Sequence, residues 1–236
     1  VGATSAIVAM GGVGKTTWVV KTIMEAMKVD RDLEVMIVSS EDGPEDYHAK
    51  IYNGLHTCNL EGRHYAEVTP KEIAGRIHVM DLKGTGGKLI AELSGSFVPS
   101  TLSSELAQAL VEHFPKVRLV IFETVSRFAG GEDNERMEAL VTASDRIALA
   151  INGATACVHH TGKGQARNKV IDLYSGRGGS ALGDNTRSFI VMTRLDDEYK
   201  GERPVLANHE DIAAGRVFEV KHVRNSYGQT EDAEYY

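Results

Sequence analysis

The chain has 236 residues, of which 42% are hydrophobic and 25% are charged, and these proportions are ordinary for a globular protein. It contains no run of about 18 apolar residues, so we expect no transmembrane helix. The net charge of −7 excludes a basic nucleic-acid-binding protein of the histone kind, so any nucleic acid must contact a local basic loop or the lining of a ring.

A glycine-rich segment follows the first predicted strand. The apolar residues 6–8 lead into Ala9-Met10-Gly11-Gly12-Val13-Gly14-Lys15-Thr16, and residues 17–28 are compatible with a helix. Strand, glycine-rich turn and helix in this order are the context of a P-loop, whose backbone N–H groups surround a polyphosphate. We expect Lys15 to reach the β- and γ-phosphates and the Thr16 hydroxyl to bind Mg²⁺. The residues expected to contact the nucleotide are Gly11, Gly12, Val13, Gly14, Lys15, Thr16 and Thr17.

The motif departs from the usual P-loop pattern at its first position, where Ala9 replaces glycine. The alternative interpretation is an ordinary glycine-rich turn before a helix. Lys15 at a helix start opposes the helix dipole unless an anion offsets it, and this favours the phosphate site.

An acidic residue follows the second predicted strand. Residues 34–40 form a short apolar run typical of a buried parallel strand, Glu41 and Asp42 come next, and Gly43-Pro44 opens a helix predicted to extend to Cys58. Ligands of open α/β sheets lie at the carboxyl ends of the strands, so we expect Glu41 beside the nucleotide, within reach of a water aligned on the γ-phosphate. The alternative is a solvated carboxylate at a helix start, where the dipole favours it.

The middle of the chain supplies a second acidic strand end. Residues 59–76 have a weak pattern, residues 77–81 predict a strand, and residues 83–96 predict a loop. Ser103-Ser104-Glu105 then supply the N-cap signal of a helix that ends near Pro115. The apolar strand Val117–Glu123 then ends in a carboxylate, as a Walker B motif does, although Asp is the common residue there. We expect Glu123 to help hold Mg²⁺, in part through its water shell; the alternative is a buried strand that merely ends in an acid.

Two histidines end the next predicted strand. Residues 124–134 predict a loop, residues 136–151 an amphipathic helix that ends at Asn152-Gly153, and residues 154–158 a buried strand. His159-His160 follow, and either ring can sense the γ-phosphate from this position. Zinc is disfavoured because no third ligand lies nearby in the sequence, and a structural polar strand end is the alternative.

The last third of the chain contains the basic candidates. Residues 162–169 form a glycine-bearing loop with three cations, Lys163, Arg167 and Lys169, which favours nucleic-acid contact and a solvated loop equally. Residues 175–182 predict a tight turn into a short helix that closes near Asn185. Arg177 and Arg187 are candidates for an arginine finger that stabilises phosphoryl-transfer charge, or alternatively for surface ion pairs. Residues 188–194 and 216–221 predict two further strands.

The order of these elements indicates an α/β fold. Alternating strands and helices, with a P-loop after the first strand, predict a mostly parallel twisted sheet flanked by helices, with C-terminal antiparallel strands. The order of the residues at the strand ends resembles that of the RecA/DnaB class of ATPases, and this resemblance implies a RecA-like P-loop NTPase core. We find no convincing linker and expect one domain over residues 1–236. Because the chain begins at Val1 and not Met, we expect its true N-terminus to lie upstream, and cysteines only at positions 58 and 157 fit a reducing cytoplasm.

More narrowly, the chain resembles the RepA-like hexameric replicative helicases of plasmids and phages, a family of AAA-type domains with a RecA fold. In that class the catalytic Glu follows the strand after the P-loop helix, as Glu41 does, whereas in AAA+ proteins it follows Walker B directly. The resemblance covers Ala3 to Gly228. It depends on the motifs Gly11-Gly12-Val13-Gly14-Lys15-Thr16, Ser40-Glu41-Asp42, Leu119-Val120-Ile121-Phe122-Glu123-Thr124 with Arg127-Phe128, His159-His160-Thr161-Gly162-Lys163-Gly164, Arg177-Gly178-Gly179-Ser180 and Arg224-Asn225-Ser226-Tyr227-Gly228.

The resemblance implies roles for single residues. Lys15 and Thr16 bind ATP and Mg²⁺, Glu41 is the general base or water-orienting residue, and Glu123 replaces the Walker B Asp. His160 or His159 is the γ-phosphate sensor, Arg177 matches an arginine finger that acts on the neighbouring subunit, and Arg224 lies near that neighbour's phosphates. Loops after Glu123 and His160 face a channel that holds single-stranded DNA, and their basic residues are Arg127, Lys163, Arg167 and Lys169.

The resemblance also implies partners: a homo-hexamer, single-stranded DNA, a replication initiator or primase, and no membrane. Two alternatives remain open. One is a RecA/KaiC-like ATPase that serves in filament formation or signalling without unwinding DNA. The other is a nucleotide-gated binding protein in which Glu123 leaves little turnover.

Overall fold

The computed structural model describes residues 2–56, 68–161, 172–173, 180–195, 209–213, 217–228 and 234–235. The described residues form ten strands and eight helices. The strands are β1 Ala3–Ala9, β2 Glu34–Ser39, β3 Ile77–Asp81, β4 Ile90–Leu93, β5 Ser96–Pro99, β6 Val117–Glu123, β7 Ala154–His160, β8 Ser188–Arg194, β9 Phe218–Asn225 and β10 Glu234–Tyr235. The helices are α1 Lys15–Val29, α2 Pro44–His56, α3 Pro70–Ile73, α4 Thr101–His113, α5 Val125–Ala129, α6 Asn134–Ala150, α7 Ala181–Asn185 and α8 His209–Ala213.

Eight strands form one sheet in the order β10-β9-β8-β1-β7-β6-β2-β3. The pairs from β8 to β3 are parallel, whereas β9 and β10 are antiparallel to their neighbours. The predicted fold class, a mostly parallel sheet with C-terminal antiparallel strands, is therefore confirmed. Strand β1 lies between β7 and β8, so the segment that follows it emerges at the middle of the carboxyl edge of the sheet.

The core has two layers because successive strand residues face opposite sides of the sheet. Phe122 packs in a cluster with residues of α4, α5 and α6, whereas its neighbour Ile121 packs with residues of α1 and α2. The apolar runs of the central strands are buried by helices on both faces, as expected for parallel strands. No helix among the described residues is long and apolar enough to span a bilayer.

Several predicted boundaries and two predicted loops are wrong. Residues 83–96 include β4, and β4 pairs antiparallel with β5 across a turn at Ser94-Gly95, where both residues have positive φ. The predicted loop over residues 124–134 contains α5, which ends at Ala129 and is followed by the C-cap residue Gly130 with φ 66°. These elements have four or five residues each, too few for a periodic pattern to show in the sequence.

Other differences concern element ends. Helix α4 begins at Thr101 with Ser100 as N-cap, because the Ser100 hydroxyl accepts a hydrogen bond from the Ser103 N–H. Strand β9 continues to Asn225, beyond the predicted end at residue 221, and α3 lies in a region with a weak pattern. The predicted strands over residues 77–81, 117–123 and 188–194 are confirmed, and the strand predicted over residues 34–40 ends one residue earlier, at Ser39.

Candidate functional site

The glycine-rich segment forms an open turn between β1 and α1. Gly12 and Gly14 have φ values of 76° and 82°, a region that favours glycine, and a Cβ built on either would meet no atom of the described residues within 4 Å. Ala9 precedes this turn as the last residue of β1, where it pairs with His160 and Met192. Because a strand conformation does not require glycine, alanine fits at this first position of the motif.

Helix α1 begins with two buried polar residues. Lys15 and Thr16 are 8% and 9% exposed, and Gly14 occupies the N-cap position without a side chain that could cap the helix. The first turn contains Lys15 and no acidic residue. A lysine here raises the positive potential of the helix start, so the arrangement suits an anion that the backbone N–H groups and Lys15 bind together.

A carboxylate lies against the start of α1. Glu123, the last residue of β6, is 3% exposed and accepts a hydrogen bond from the Thr16 hydroxyl at Oε1 and another from the Tyr47 hydroxyl at Oε2. A threonine hydroxyl and a carboxylate supply oxygen ligands, which Mg²⁺ prefers, and Mg²⁺ commonly uses only one or two protein carboxylates. Within the described residues, no group of three His, Cys, Asp or Glu side chains is placed to hold a metal ion, so a zinc site of that kind is absent from them.

Tyr47 is the residue of this site that the sequence reasoning missed. It lies in the first turns of α2, is 1% exposed, and shares the buried face of that helix with Gly54, seven residues further on. Burial raises the pKa of Tyr47 above its ordinary value, as does the negative charge of Glu123, so the hydroxyl stays protonated and can donate. A buried tyrosine hydroxyl needs a partner, but no local pattern in the sequence indicates that Glu123, 76 residues away, is that partner.

The segments that carry Glu41 and Glu123 are joined by hydrogen bonds. The Ser40 N–H and hydroxyl both donate to the Glu123 carbonyl, at 2.7 and 3.0 Å, and the Thr124 N–H donates to the Ser40 hydroxyl at 3.2 Å. The Thr124 hydroxyl donates to Oε1 of Glu41 at 2.7 Å. Ser39 and Glu123 are paired residues of neighbouring strands, so sheet register brings the two carboxylates to the same edge.

The two histidines end β7 next to the P-loop strand. His160 pairs with Ala9, and the Thr161 N–H donates to the Ala9 carbonyl at 3.0 Å. His159 is fully buried, whereas His160 is partly exposed. Strand alternation places His160 on the face of Val158, which packs in the cluster that includes α1, and His159 on the opposite face.

The arginine candidates are separated in the structure. Arg127 is exposed on α5, and Arg187 precedes β8, where its N–H donates to the Thr4 carbonyl near the start of β1. Arg224 of β9 donates from Nη1 to the carbonyls of Gly183 and Asp184 in α7, each at 2.7 Å. Four predicted site residues lie outside the described residues: Lys163, Arg167, Lys169 and Arg177.

Comparisons with known proteins identify the fold and the family of the chain. The chain is similar to the solved ATPase domain of another protein, with 15% identity and a TM-score of 0.68. The similarity covers 99% of this chain and 80% of that chain. It is also similar to a DnaB-like replicative helicase whose structure was solved to describe its interactions with primase, with 14% identity and a TM-score of 0.64 over 99% of this chain and 56% of that chain. At these identities the likeness shows the fold, which is RecA-like.

A search of curated proteins gave no match. The AAA domain family matches residues 1–166, the part of the chain that contains the P-loop, Glu41, Glu123 and both histidines. Because this match covers well over half of the sequence, the chain belongs to the AAA domain family.

Proposed function

We propose that the chain is the ATP-hydrolysing motor domain of a ring helicase of the RepA or DnaB type, which moves along single-stranded DNA. One observation carries this proposal: the carboxylate of Glu123 contacts Thr16 of the P-loop, and Glu41 is held beside it from the neighbouring strand. This arrangement supplies a phosphate-binding lysine, oxygen ligands for a metal ion and a separate carboxylate for the attacking water. The order of these groups along the sequence, with Glu41 after the strand that follows the P-loop helix and Glu123 at the end of a later strand, favours the RecA/DnaB class.

The residues around the glycine turn fit ATP and Mg²⁺. We assign the phosphates to the backbone of residues 11–14, to Lys15 and to Thr17, and Mg²⁺ to the Thr16 hydroxyl and the Glu123 carboxylate. When bound, the ion would neutralise charge on the β- and γ-phosphate oxygens. Lys15 is buried at the start of α1, so its charge is shielded from bulk water and acts on the phosphates at short range.

Glu41 is the proposed general base or water-orienting residue. Its side chain is partly exposed, so a water molecule can approach it, while the Thr124 hydroxyl fixes one carboxylate oxygen at 2.7 Å. The other oxygen can then accept the proton of an attacking water. His160 is the better sensor candidate of the two histidines, because it is on the face of the sheet that carries α1.

The proposed site is completed by a neighbouring subunit of a homo-hexamer. Arg177 would act in trans as the arginine finger. Arg224 is the second candidate for contact with a neighbour's phosphates, and this role would depend on Nε and Nη2, since Nη1 already donates to two carbonyls of its own chain. We place single-stranded DNA against Arg127, Lys163, Arg167 and Lys169. The similar DnaB-like helicase interacts with primase, so a primase or replication initiator is a proposed partner of this chain.

The test is to compare Glu41→Gln with the wild-type chain. We expect wild type to hydrolyse ATP, to be stimulated by single-stranded DNA and to separate a forked duplex, and Glu41→Gln to lose about 100-fold or more in kcat while still binding ATP. Glu45→Gln is the matched control, because Glu45 is exposed in the first turn of α2. Hydrolysis without strand separation would favour the RecA/KaiC-like alternative. Equal, negligible turnover in wild type and Glu41→Gln would favour the nucleotide-gated binding protein.

A further inference from the structure

We propose that Tyr47 is a positioning residue that holds the Glu123 carboxylate in the orientation needed to bind Mg²⁺ with the nucleotide. This inference depends on the proposed function, because it assigns Mg²⁺ to Thr16 and Glu123. It adds a residue from α2, an element that the P-loop and Walker B motifs do not include.

The two oxygens of the Glu123 carboxylate accept from different donors. Thr16 donates to Oε1 and Tyr47 donates to Oε2. If the Thr16 hydroxyl becomes a metal ligand, its oxygen lone pairs turn to the ion, and its hydrogen bond to Oε1 is free to rearrange. The hydrogen bond from Tyr47 to Oε2 can persist when the bond from Thr16 rearranges. It therefore fixes the side-chain torsion angles of Glu123 and keeps Oε1 directed towards Thr16.

Tyr47 is itself held in a fixed position. Its side chain is 1% exposed, and Lys50 lies over its ring with Nζ 5.4 Å from the ring centroid. Lys50 also donates to Oδ2 of Asp42 at 2.8 Å. The same element, α2, begins three residues after Glu41, so the tyrosine that fixes Glu123 is anchored next to the segment that carries the proposed base.

The length of Glu123 gives a second reason to treat it and Tyr47 as a pair. The usual Walker B residue is Asp, whose side chain is shorter by one carbon–carbon bond, about 1.5 Å. An Asp at position 123 would withdraw from the Tyr47 hydroxyl by about that length, which is enough to break a hydrogen bond. The longer side chain reaches both Thr16 and Tyr47, and the tyrosine restrains the extra torsion angle that Glu introduces.

The experiment measures Mg²⁺-dependent binding of a fluorescent, non-hydrolysable ATP analogue, titrated with Mg²⁺. In Tyr47→Phe we expect the Mg²⁺ concentration at half-saturation to rise about tenfold, as for loss of one hydrogen bond to a charged group. Binding of the analogue without Mg²⁺ should stay within about twofold of wild type. Tyr52→Phe is the matched control, since Tyr52 is on the same helix and is 56% exposed; it should behave as wild type.

A double-mutant comparison shows whether Tyr47 acts through Glu123. In a Glu123→Asp background the tyrosine no longer reaches the carboxylate, so adding Tyr47→Phe should change the Mg²⁺ midpoint by less than about twofold. An equally large change in both backgrounds would overturn the proposal, as would a Tyr47→Phe midpoint equal to wild type. If wild type shows no Mg²⁺-dependent binding, the proposed function itself fails.

Discussion

Replacing Thr124 by valine removes one hydroxyl from the centre of the site. Thr124 is fully buried at the N-cap position of α5, yet its side chain donates to Glu41 and does not cap the helix. Valine has nearly the same shape, so the packing and the start of α5 should persist. A hydrogen bond to a charged group contributes about 1.5–3 kcal/mol, and the partial exposure of Glu41 favours the lower end of that range.

About 1.5 kcal/mol corresponds to roughly a tenfold loss of kcat if the bond orients Glu41 in the transition state. The assay is steady-state ATP hydrolysis with saturating single-stranded DNA, together with a measurement of the Kd of the nucleotide. This Kd should change by less than about twofold, because the proposed role of Glu41 is to act on the attacking water and not to bind the nucleotide. Thr155→Val is the matched control: Thr155 is also fully buried and hydrogen-bonded to Thr4, but it lies near the amino end of β7, away from the P-loop.

Two results would refute this reasoning. One is a Thr124→Val kcat within about twofold of wild type while the protein is folded. The other is a roughly tenfold loss of kcat that persists in a Glu41→Gln background, because the hydroxyl would then act through some other group.

Two further predictions concern stability. The Glu72 carboxylate accepts hydrogen bonds from the Thr69 N–H, the Arg31 guanidinium and the Thr69 hydroxyl, and these bonds lower its pKa from 4.5 to about 2. The ionised carboxylate therefore stabilises the fold above about pH 4.5, and this contribution is lost as the pH falls towards 2. Urea unfolding should therefore show a destabilisation by Glu72→Gln that is larger at about pH 7 than at about pH 3, and a difference that is constant with pH would contradict it. Gly153→Ala would place a Cβ 2.1 Å from the Arg118 carbonyl oxygen and should cost about 1–3 kcal/mol. Thermal unfolding should show a lower Tm for Gly153→Ala but not for Gly228→Ala, whose Cβ would make ordinary contact, and equal midpoints would rule out the clash.

The sequence predicts the parts of the fold that depend on local patterns. The strand 117–123 and the turn before Lys15 are visible because apolar runs, glycines and charged residues occur within a few positions of each other. The placement of Glu41 and Glu123 at one edge also follows from topology, since parallel strands end on the same side of a sheet. The structure brings both to neighbouring strand ends, where Ser40 and Thr124 connect them.

Contacts between distant segments do not follow from such patterns. Tyr47 and Glu123 are 76 residues apart, and a tyrosine in the first turns of a helix gives no indication of which acid it meets. The hydroxyl of Thr124 is an N-cap candidate by local rules, but the proximity of Glu41 decides its partner. The hairpin of β4 and β5 was missed because its strands have four residues each and lie next to a glycine-rich segment.

The central position of β1 has a consequence for the order of folding. Ala3 pairs with Ala154, and Ser5 pairs with Ser188, so both ladders of this strand require residues from the second half of the sequence. Contacts of such long sequence separation slow folding, because the intervening chain must be closed into a loop before they form. During translation the phosphate turn therefore lacks at least one of its two flanking strands until the ribosome has passed residue 194. We therefore expect nascent chains to bind nucleotide only after β8 has been synthesised. The chain length at which binding appears would report when both strands beside β1 are in place.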